Sequence, residues 1–258
     1  MSVSAMEERS RASVAIDAHR DERRVPVRTA LLTNFIAPYF LPVLRVLRDS
    51  VDRLRVFLST PMETDRPWAS DWDGVDVVVQ KSIATHHNRS FKVGFSETFV
   101  RHFPYDTLPQ LHRYRPDVIV SAQLGFRTTQ AAAYCLLHPS CRLVIWADLS
   151  QHTEREVGAA QRRVRRSLLA RADAVVVTGR SGSEYIQDLG VPADHIVIAP
   201  YVTDSTSLPR PSLPRDASVA RRFLFVGQLI ERKGLEPFLR ALAQWASEHT
   251  KEKCEMWL

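Results

Sequence analysis

Phe223-Leu224-Phe225-Val226-Gly227-Gln228-Leu229-Ile230-Glu231-Arg232-Lys233-Gly234-Leu235 is the stretch from which the fold of this chain follows. Residues 222–226 read as an apolar strand and residues 227–234 as a turn bounded by glycines. Leu235, Phe238, Leu239, Leu242 and Trp245 then fall on one side of a helix. Pro237 sits in the first turn of that helix, where a missing N–H is tolerated. A strand, a glycine turn and a helix in this order aim backbone N–H groups and the positive helix end at one point, which makes an anion site. Lys233 beside Gly234 adds a full positive charge there, and a diphosphate is the expected guest.

Upstream of this unit, residues 205–218 turn to serine and proline with little apolar content, as an interdomain linker should. Before them, short β-branched or apolar runs alternate with segments of helical period, the signature of a parallel sheet covered by helices. Strands are expected at residues 27–34, 54–58, 75–79, 117–121, 142–146, 172–177 and 196–198. In the fourth of these, Val118, Ile119 and Val120 look buried on both faces. Helices are expected through Leu41, Leu44, Val46 and Leu47, over residues 129–137 behind Gly125 and Thr128, and over residues 154–171. In this last helix Val157, Val164 and Leu168 share a face while Arg162, Arg163, Arg165 and Arg166 crowd the rest. Ser181 and Glu184 have capping-box spacing for a further helix, which Gly190 ends before Pro192. The expected organisation is a flexible leader at 1–26, a Rossmann-like domain at 27–204, a linker at 205–220 and the start of a second domain at 221–258.

Over 258 residues, 45% hydrophobic and 25% charged, the chain has the balance of a folded globular protein. Its apolar runs fall far short of the roughly 20 residues needed to cross a bilayer. The leader lacks the apolar core and cleavage site of a secretory signal. Cys135, Cys141 and Cys254 have no C-x-x-C spacing, which suggests neither a disulfide framework nor a zinc site, and a cytoplasmic setting fits. A net charge of +6 implies attraction to anions without choosing among nucleic acid, anionic lipid and a nucleoside diphosphate. Nucleic acid is disfavoured, because the arginines gather on one helix without interleaved aromatics. A nicotinamide enzyme is disfavoured too, since no G-x-G-x-x-G follows the first strand. Asp71-Trp72-Asp73 follows a loop rather than an apolar strand and His86-His87 lacks partner ligands, so no metal is expected at either.

Residues 225–235 resemble the start of the donor domain in glycosyltransferase family 4, a retaining family of the GT-B fold. Pro116-Asp117-Val118-Ile119-Val120, Arg171-Ala172-Asp173-Ala174-Val175-Val176-Val177-Thr178 and Leu189-Gly190-Val191-Pro192 also resemble segments of that family, in its order, as does the loop from Asn34 to Pro42. The resemblance implies an α/β fold of GT-B type, a Rossmann-like parallel-sheet domain followed by an incomplete second one. It implies transfer of a sugar from a nucleotide-sugar to a glycan or lipid-linked acceptor, the nucleotide-sugar being a substrate and no cofactor or metal being required. Donor diphosphate binding then falls to Gly227, Gln228, Arg232, Lys233 and Gly234, with Gln228 standing where the family usually has Arg. His152 and Asp148 match the family position beside the donor sugar, and Asn34 and Tyr39 its acceptor-side loop.

The family's pair of donor-binding glutamates would lie beyond Leu258. That leads to the expectation of a truncated chain with impaired transfer, or of an inactive remnant that binds a glycan, a lipid or a protein. The Arg-rich helix reads either as a solvated face or as a peripheral contact with an anionic membrane, which would suit a lipid-linked acceptor.

Overall fold

The computed structural model describes residues 25–64, 66, 68, 71–90, 96–154, 157–202, 221–227, 229–249 and 254–257. The leader and the linker expected from the sequence lie outside the described residues. The chain divides into two compact units, one made of residues 1–85 and 101–206, the other of residues 86–100 and 207–258. In chain order the elements leading to the end of the first unit are β1 (Val25–Thr33), α1 (Leu41–Ser50), β2 (Val51–Leu58), β3 (Val77–Val79), β4 (Ser82–Ser90), β5 (Ser96–Pro104), α2 (Thr107–Tyr114), β6 (Val118–Ala122), α3 (Phe126–Leu137), β7 (Arg142–Ala147), α4 (Ala159–Leu169), β8 (Ala174–Val177), α5 (Arg180–Asp188) and β9 (Ile196–Ile198). The second unit takes in the adjoining parts of β4 and β5 within residues 86–100 and adds β10 (Arg221–Leu224), α6 (Leu235–Glu248) and β11 (Cys254–Trp257).

The fold is α/β, of GT-B type. Seven parallel strands form one sheet in the order β3-β2-β1-β6-β7-β8-β9. Side-chain alternation along a strand explains how the sheet is buried. Leu31 packs in one cluster with Leu44 of α1, Val56 and Leu58, while its neighbours Ala30 and Leu32 pack in another with Ile119, Leu143, Ile145 and Tyr134 of α3. Leu31, Leu44, Leu143 and Ile145 are almost wholly excluded from solvent, and each contributes roughly 1.5–3 kcal/mol by burial.

An aspartate stands immediately before three of the strands and ties it to its neighbour. Asp117, before β6, accepts the Arg28 backbone N–H at 2.8 Å; Asp173, before β8, accepts the Leu143 N–H and the Arg142 guanidinium, both at 2.8 Å. Asp76, before β3, accepts from Arg55 at 2.8 Å. These carboxylates satisfy groups at the sheet's amino end and fix which residues pair across it.

The second unit holds a β-α-β arrangement in which β10 and β11 pair in parallel, Arg221 opposite Cys254 and Leu224 opposite Trp257. Phe223 packs edge-on against Phe238 of α6, with ring centres 5.3 Å apart.

Several local expectations are corrected. β2 begins at Val51 rather than residue 54, and β3 at Val77 rather than residue 75. Of Val118, Ile119 and Val120 only Ile119 is fully buried. The basic helix is shorter than expected and turned differently: Val164 is exposed, whereas Arg165 is buried, paired with Glu154 and 3.1 Å from the Tyr185 hydroxyl. A buried carboxylate partner outweighed the hydrophobic pattern here. α5 begins at Arg180 behind Gly179 with no side-chain cap, so Ser181 lies inside the helix rather than at its cap. β4, β5 and α2 were not foreseen. β4 reads Ser-Ile-Ala-Thr-His-His-Asn-Arg-Ser and offers no apolar face. α2 is anchored by Leu111, which is wholly buried in the core, and by Thr107, which takes a bond from Gln80 at 2.9 Å and lies 3.3 Å from the Gln130 amide.

Candidate functional site

The strand order reverses between β1 and β6, so the chain leaves their carboxyl ends in opposite directions and opens a crevice there. Thr33, Asn34 and Phe35 leave β1 on one side; Ala122 and Gln123 end β6 on the other. Gln123 has φ of +67°, unusual for a residue with a side chain. Its N–H donates to the Trp146 carbonyl at 2.7 Å and its carbonyl accepts from the Thr128 hydroxyl at 2.6 Å, two bonds that hold the strained conformation.

The crevice is an open cleft of about 160 Å³. That is close to the ~150 Å³ that encloses a single benzene ring and well below the ~300–1,000 Å³ of a complete small-molecule site. It is therefore sized for one ring of a ligand. Aromatic groups form much of its wall: Phe40 packs edge-on to Trp146 at 5.4 Å, and Tyr39 edge-on to Tyr201 at 6.5 Å. The Tyr201 hydroxyl donates to Asp148 Oδ2 at 2.6 Å. Burial and that bond hold the Tyr201 phenol well above its ordinary pKa, so it remains a proton donor across the neutral range.

Behind the cleft lies Arg127, only 6% exposed. It donates to Asn34 Oδ1, to Ser59 Oγ at 2.6 Å and to the Ala122 carbonyl at 3.5 Å, joining the ends of β1, β2 and β6. Burial lowers its pKa to about 10, a penalty of about 3 kcal/mol on the charged form. Even so it stays charged at neutral pH, and hydrogen bonds from a charged donor, roughly 1.5–3 kcal/mol each, tie it to Asn34 and Ser59. Because a guanidinium only donates, the Asn34 atom facing it is the carbonyl oxygen, and the amide NH2 takes the opposite side. The cleft thus offers Asn34 N–H donors and Asp148 oxygen acceptors among aromatic rings.

Of the residues singled out from the sequence, Asn34, Tyr39 and Asp148 come together in this cleft. His152 does not line it; it lies in an exposed turn where Ser150 and Thr153 bond one another. Arg127, Gln123, Trp146 and Tyr201 were missed. Tyr201 had a readable signal, since it follows the last strand of the sheet by three residues and strand carboxyl ends are where ligands bind.

In the second unit, Gln228 and the Arg232 side chain lie outside the described residues. Gly227 has φ of +155°, and a Cβ placed there would lie 3.9 Å from Lys233 Cε, so the lysine stem folds back over this glycine. Gly234 has φ of +68° and caps α6, a left-handed position that glycine adopts without strain. The N–H groups of Lys233 and Gly234 are bonded within the turn, to the Ile230 and Glu231 carbonyls at 3.0 and 2.9 Å. Among the described residues, the donors left for an anion are the first-turn amides of α6 and the Lys233 ammonium.

Residues 36–201, well over half the chain, match the profile of the glycosyl transferase 4-like domain. The chain belongs to this glycosyl transferase family. No curated protein matches its sequence. Among solved structures it is similar to the lipopolysaccharide outer core galactosyltransferase WaaB, with 12% identity, 90% of this chain and 68% of that one covered, and a TM-score of 0.55. It is similar also to a UDP-N-acetylglucosamine 2-epimerase, with 12% identity, coverage of 89% and 62%, and a TM-score of 0.51. A third structure, Anabaena Alr3699/HepE in complex with UDP-glucose, shares 14% identity over 69% of this chain with a TM-score of 0.46, and the match spans only 44% of the Anabaena protein. At such identities the likeness is one of fold.

In this glycosyl transferase 4-like chain the matched span takes in Tyr39, Gln123, Asp148 and Tyr201 of the cleft; Asn34 and the Lys233-Gly234 turn fall outside it. Among the described residues no group of three or more His, Cys, Asp or Glu side chains could hold a metal ion. The two acids of Asp71-Trp72-Asp73 form a turn, Asp71 accepting the Asp73 N–H at 3.0 Å and Asp73 pairing with Arg45. Among the described residues no helix is long and apolar enough to cross a membrane.

Proposed function

We propose that the chain is the acceptor-side part of a nucleotide-sugar glycosyltransferase, with the cleft between β1 and β6 holding one sugar ring of a glycan or lipid-linked acceptor. The observation that carries this reading is the pairing of a fixed donor, the Asn34 amide, with a fixed acceptor, Asp148, among Tyr39, Phe40, Trp146 and Tyr201. A pyranose has apolar C–H faces and hydroxyls around its rim, and this set of groups complements both. Asp148 takes the part nearest the reacting sugars, with Asn34 and Tyr39 holding the acceptor.

The donor diphosphate lies against Lys233 and the first turn of α6, behind Gly227 and Gly234, and Gln228 and Arg232 complete that loop. Transfer proceeds with retention, as the family 4 resemblance implies, without a metal, in the cytoplasm or at the inner membrane face. The test is calorimetry with UDP, GDP and ADP, and a glycan-array screen, on a polypeptide that continues past Leu258, with Lys233→Ala and Asn34→Ala variants. Lys233→Ala is expected to remove nucleotide binding and Asn34→Ala glycan binding. Glycan binding without any nucleotide binding would instead leave a glycan-binding module, and neither would end the proposal.

A further inference from the structure

A second concavity lies at the other end of the same sheet, by the amino ends of β1 and β2. Its volume is about 520 Å³, within the roughly 300–1,000 Å³ of small-molecule sites and larger than the cleft. Residues far apart in sequence converge on it: Arg28 from β1, Arg48 from α1, Arg53 and Arg55 from β2, and Arg113 from α2. Only Asp52 and Asp76 oppose them in the lining, so positive charge dominates.

Part of this charge is held in place. Arg55 donates to Asp76 at 2.8 Å and lies over the Tyr114 ring at 4.8 Å, and the Tyr114 hydroxyl is 3.3 Å from both the Thr29 and Arg53 carbonyls. Gly74 has φ of +72° in the turn from Trp72 to Val75, and a Cβ there would lie 3.8 Å from Arg48 Nη1, so the guanidinium rests close to bare backbone. Arg28 is 3.6 Å from Asp117, and Arg48 is 3.1 Å from Asp49. Arg53 and Arg113 are exposed and, among the described residues, form no ion pair. Scattered surface arginines make no such arrangement; here two unpaired guanidinium groups share a hollow with three oriented ones.

Guanidinium forks match pairs of phosphate oxygens, and several of them around one hollow suit a ligand with more than one negative charge. We propose that this arginine-lined hollow binds a pyrophosphate-like polyanion, at a site separate from the sugar-transfer cleft. The same chemistry is carried by a free diphosphate and by the headgroups of an anionic lipid surface.

The experiment compares two charge-matched double variants in a Lys233→Ala background, so that the proposed donor site contributes nothing. Arg53→Ala with Arg113→Ala alters the hollow; Lys81→Ala with Arg180→Ala removes the same charge from exposed positions outside both the hollow and the Arg-rich helix. Inorganic pyrophosphate is titrated calorimetrically at low ionic strength. Separately, vesicles of phosphatidylcholine, with and without one quarter phosphatidylglycerol, are sedimented with each protein. Circular dichroism confirms folding. The hollow variant is expected to lose affinity about tenfold, the size of one charge-assisted hydrogen bond, while the control variant changes by less than about twofold. Loss in the pyrophosphate arm assigns the site to a soluble diphosphate, and loss confined to the phosphatidylglycerol arm assigns it to a headgroup. No binding in either arm, or equal loss in both variants, overturns the proposal whatever becomes of the glycosyltransferase reading.

Discussion

The two ends of the seven-stranded sheet use arginine in opposite ways. At the carboxyl end Arg127 is buried and, among the described residues, has no ion pair with a carboxylate; its hydrogen bonds go to Asn34, Ser59 and Ala122, so the cation serves to shape the cleft. At the amino end Arg28 and Arg55 are tied to Asp117 and Asp76, while Arg53 and Arg113 stand exposed at an open hollow, where their charge remains available to a ligand. The same side chain is a structural strut where water is excluded and an electrostatic lure where it is not.

The largest effect expected from breaking this contrast is at Arg127. Arg127→Met leaves the Ser59 hydroxyl and Asn34 oxygen without their donor and should lower unfolding free energy by about 1–3 kcal/mol, measured by urea titration. It should also free the Asn34 amide to flip, so glycan binding falls while pyrophosphate binding at the hollow stays as it was. A variant with unchanged glycan affinity would show that the strut is dispensable.

Asp117→Asn sharpens the contrast from the other end. It weakens the tie to Arg28 and should cost about 1–2 kcal/mol of stability, yet it releases the Arg28 charge toward the hollow. Pyrophosphate affinity is therefore expected to rise as stability falls, two changes of opposite sign readable on one sample by calorimetry and urea unfolding.

Asp148→Asn tests the cleft's proton inventory. The Tyr201 pKa is raised by burial first and by its bond to Asp148 second, so the variant should bring this tyrosine's titration down toward its ordinary value without reaching it. A raised pKa in the folded protein means that the bond's stabilisation is full below about 10, the unfolded value, and is lost as pH rises through the folded one. Difference absorbance of tyrosinate between wild type and variant checks the shift.

The smallest effect is at His102 of β5, whose pKa is lowered by burial and then by the Arg127 charge. The unfolded chain binds this proton more readily, so stability is complete above 6.5, the ordinary value, and declines as pH falls through the lowered one. Arg127→Met should make this acid-side decline shallower in urea titrations at stepped pH, and an unaltered slope would remove the coupling.

Much of the fold was legible because its signals are local. The β9 boundaries, the end of α5 before Gly190 and the glycine turn ahead of α6 follow from apolar runs and turn residues alone. β4 and α2 were not legible, since β4 carries no periodic apolar face and α2 is only eight residues long, with Leu111 as its one fully buried apolar side chain beside the contacts that Thr107 makes with Gln80 and Gln130. Within the cleft, Asn34, Tyr39 and Asp148 could be named because each follows a strand; Arg127 could not, because it lies in the first turn of a helix and a lone arginine in a sequence reads as surface.

By itself the sequence determined the alternation of strands and helices, the parallel sheet and the glycine-lysine turn, all properties of residues close together along the chain. Only the tertiary structure decided that Arg127 would be buried, that Asp148 would meet Tyr201, and that five arginines from four elements would share one hollow. The physical reason is that burial and charge pairing depend on which distant segments the sheet order brings together, and no spacing within a segment encodes that order.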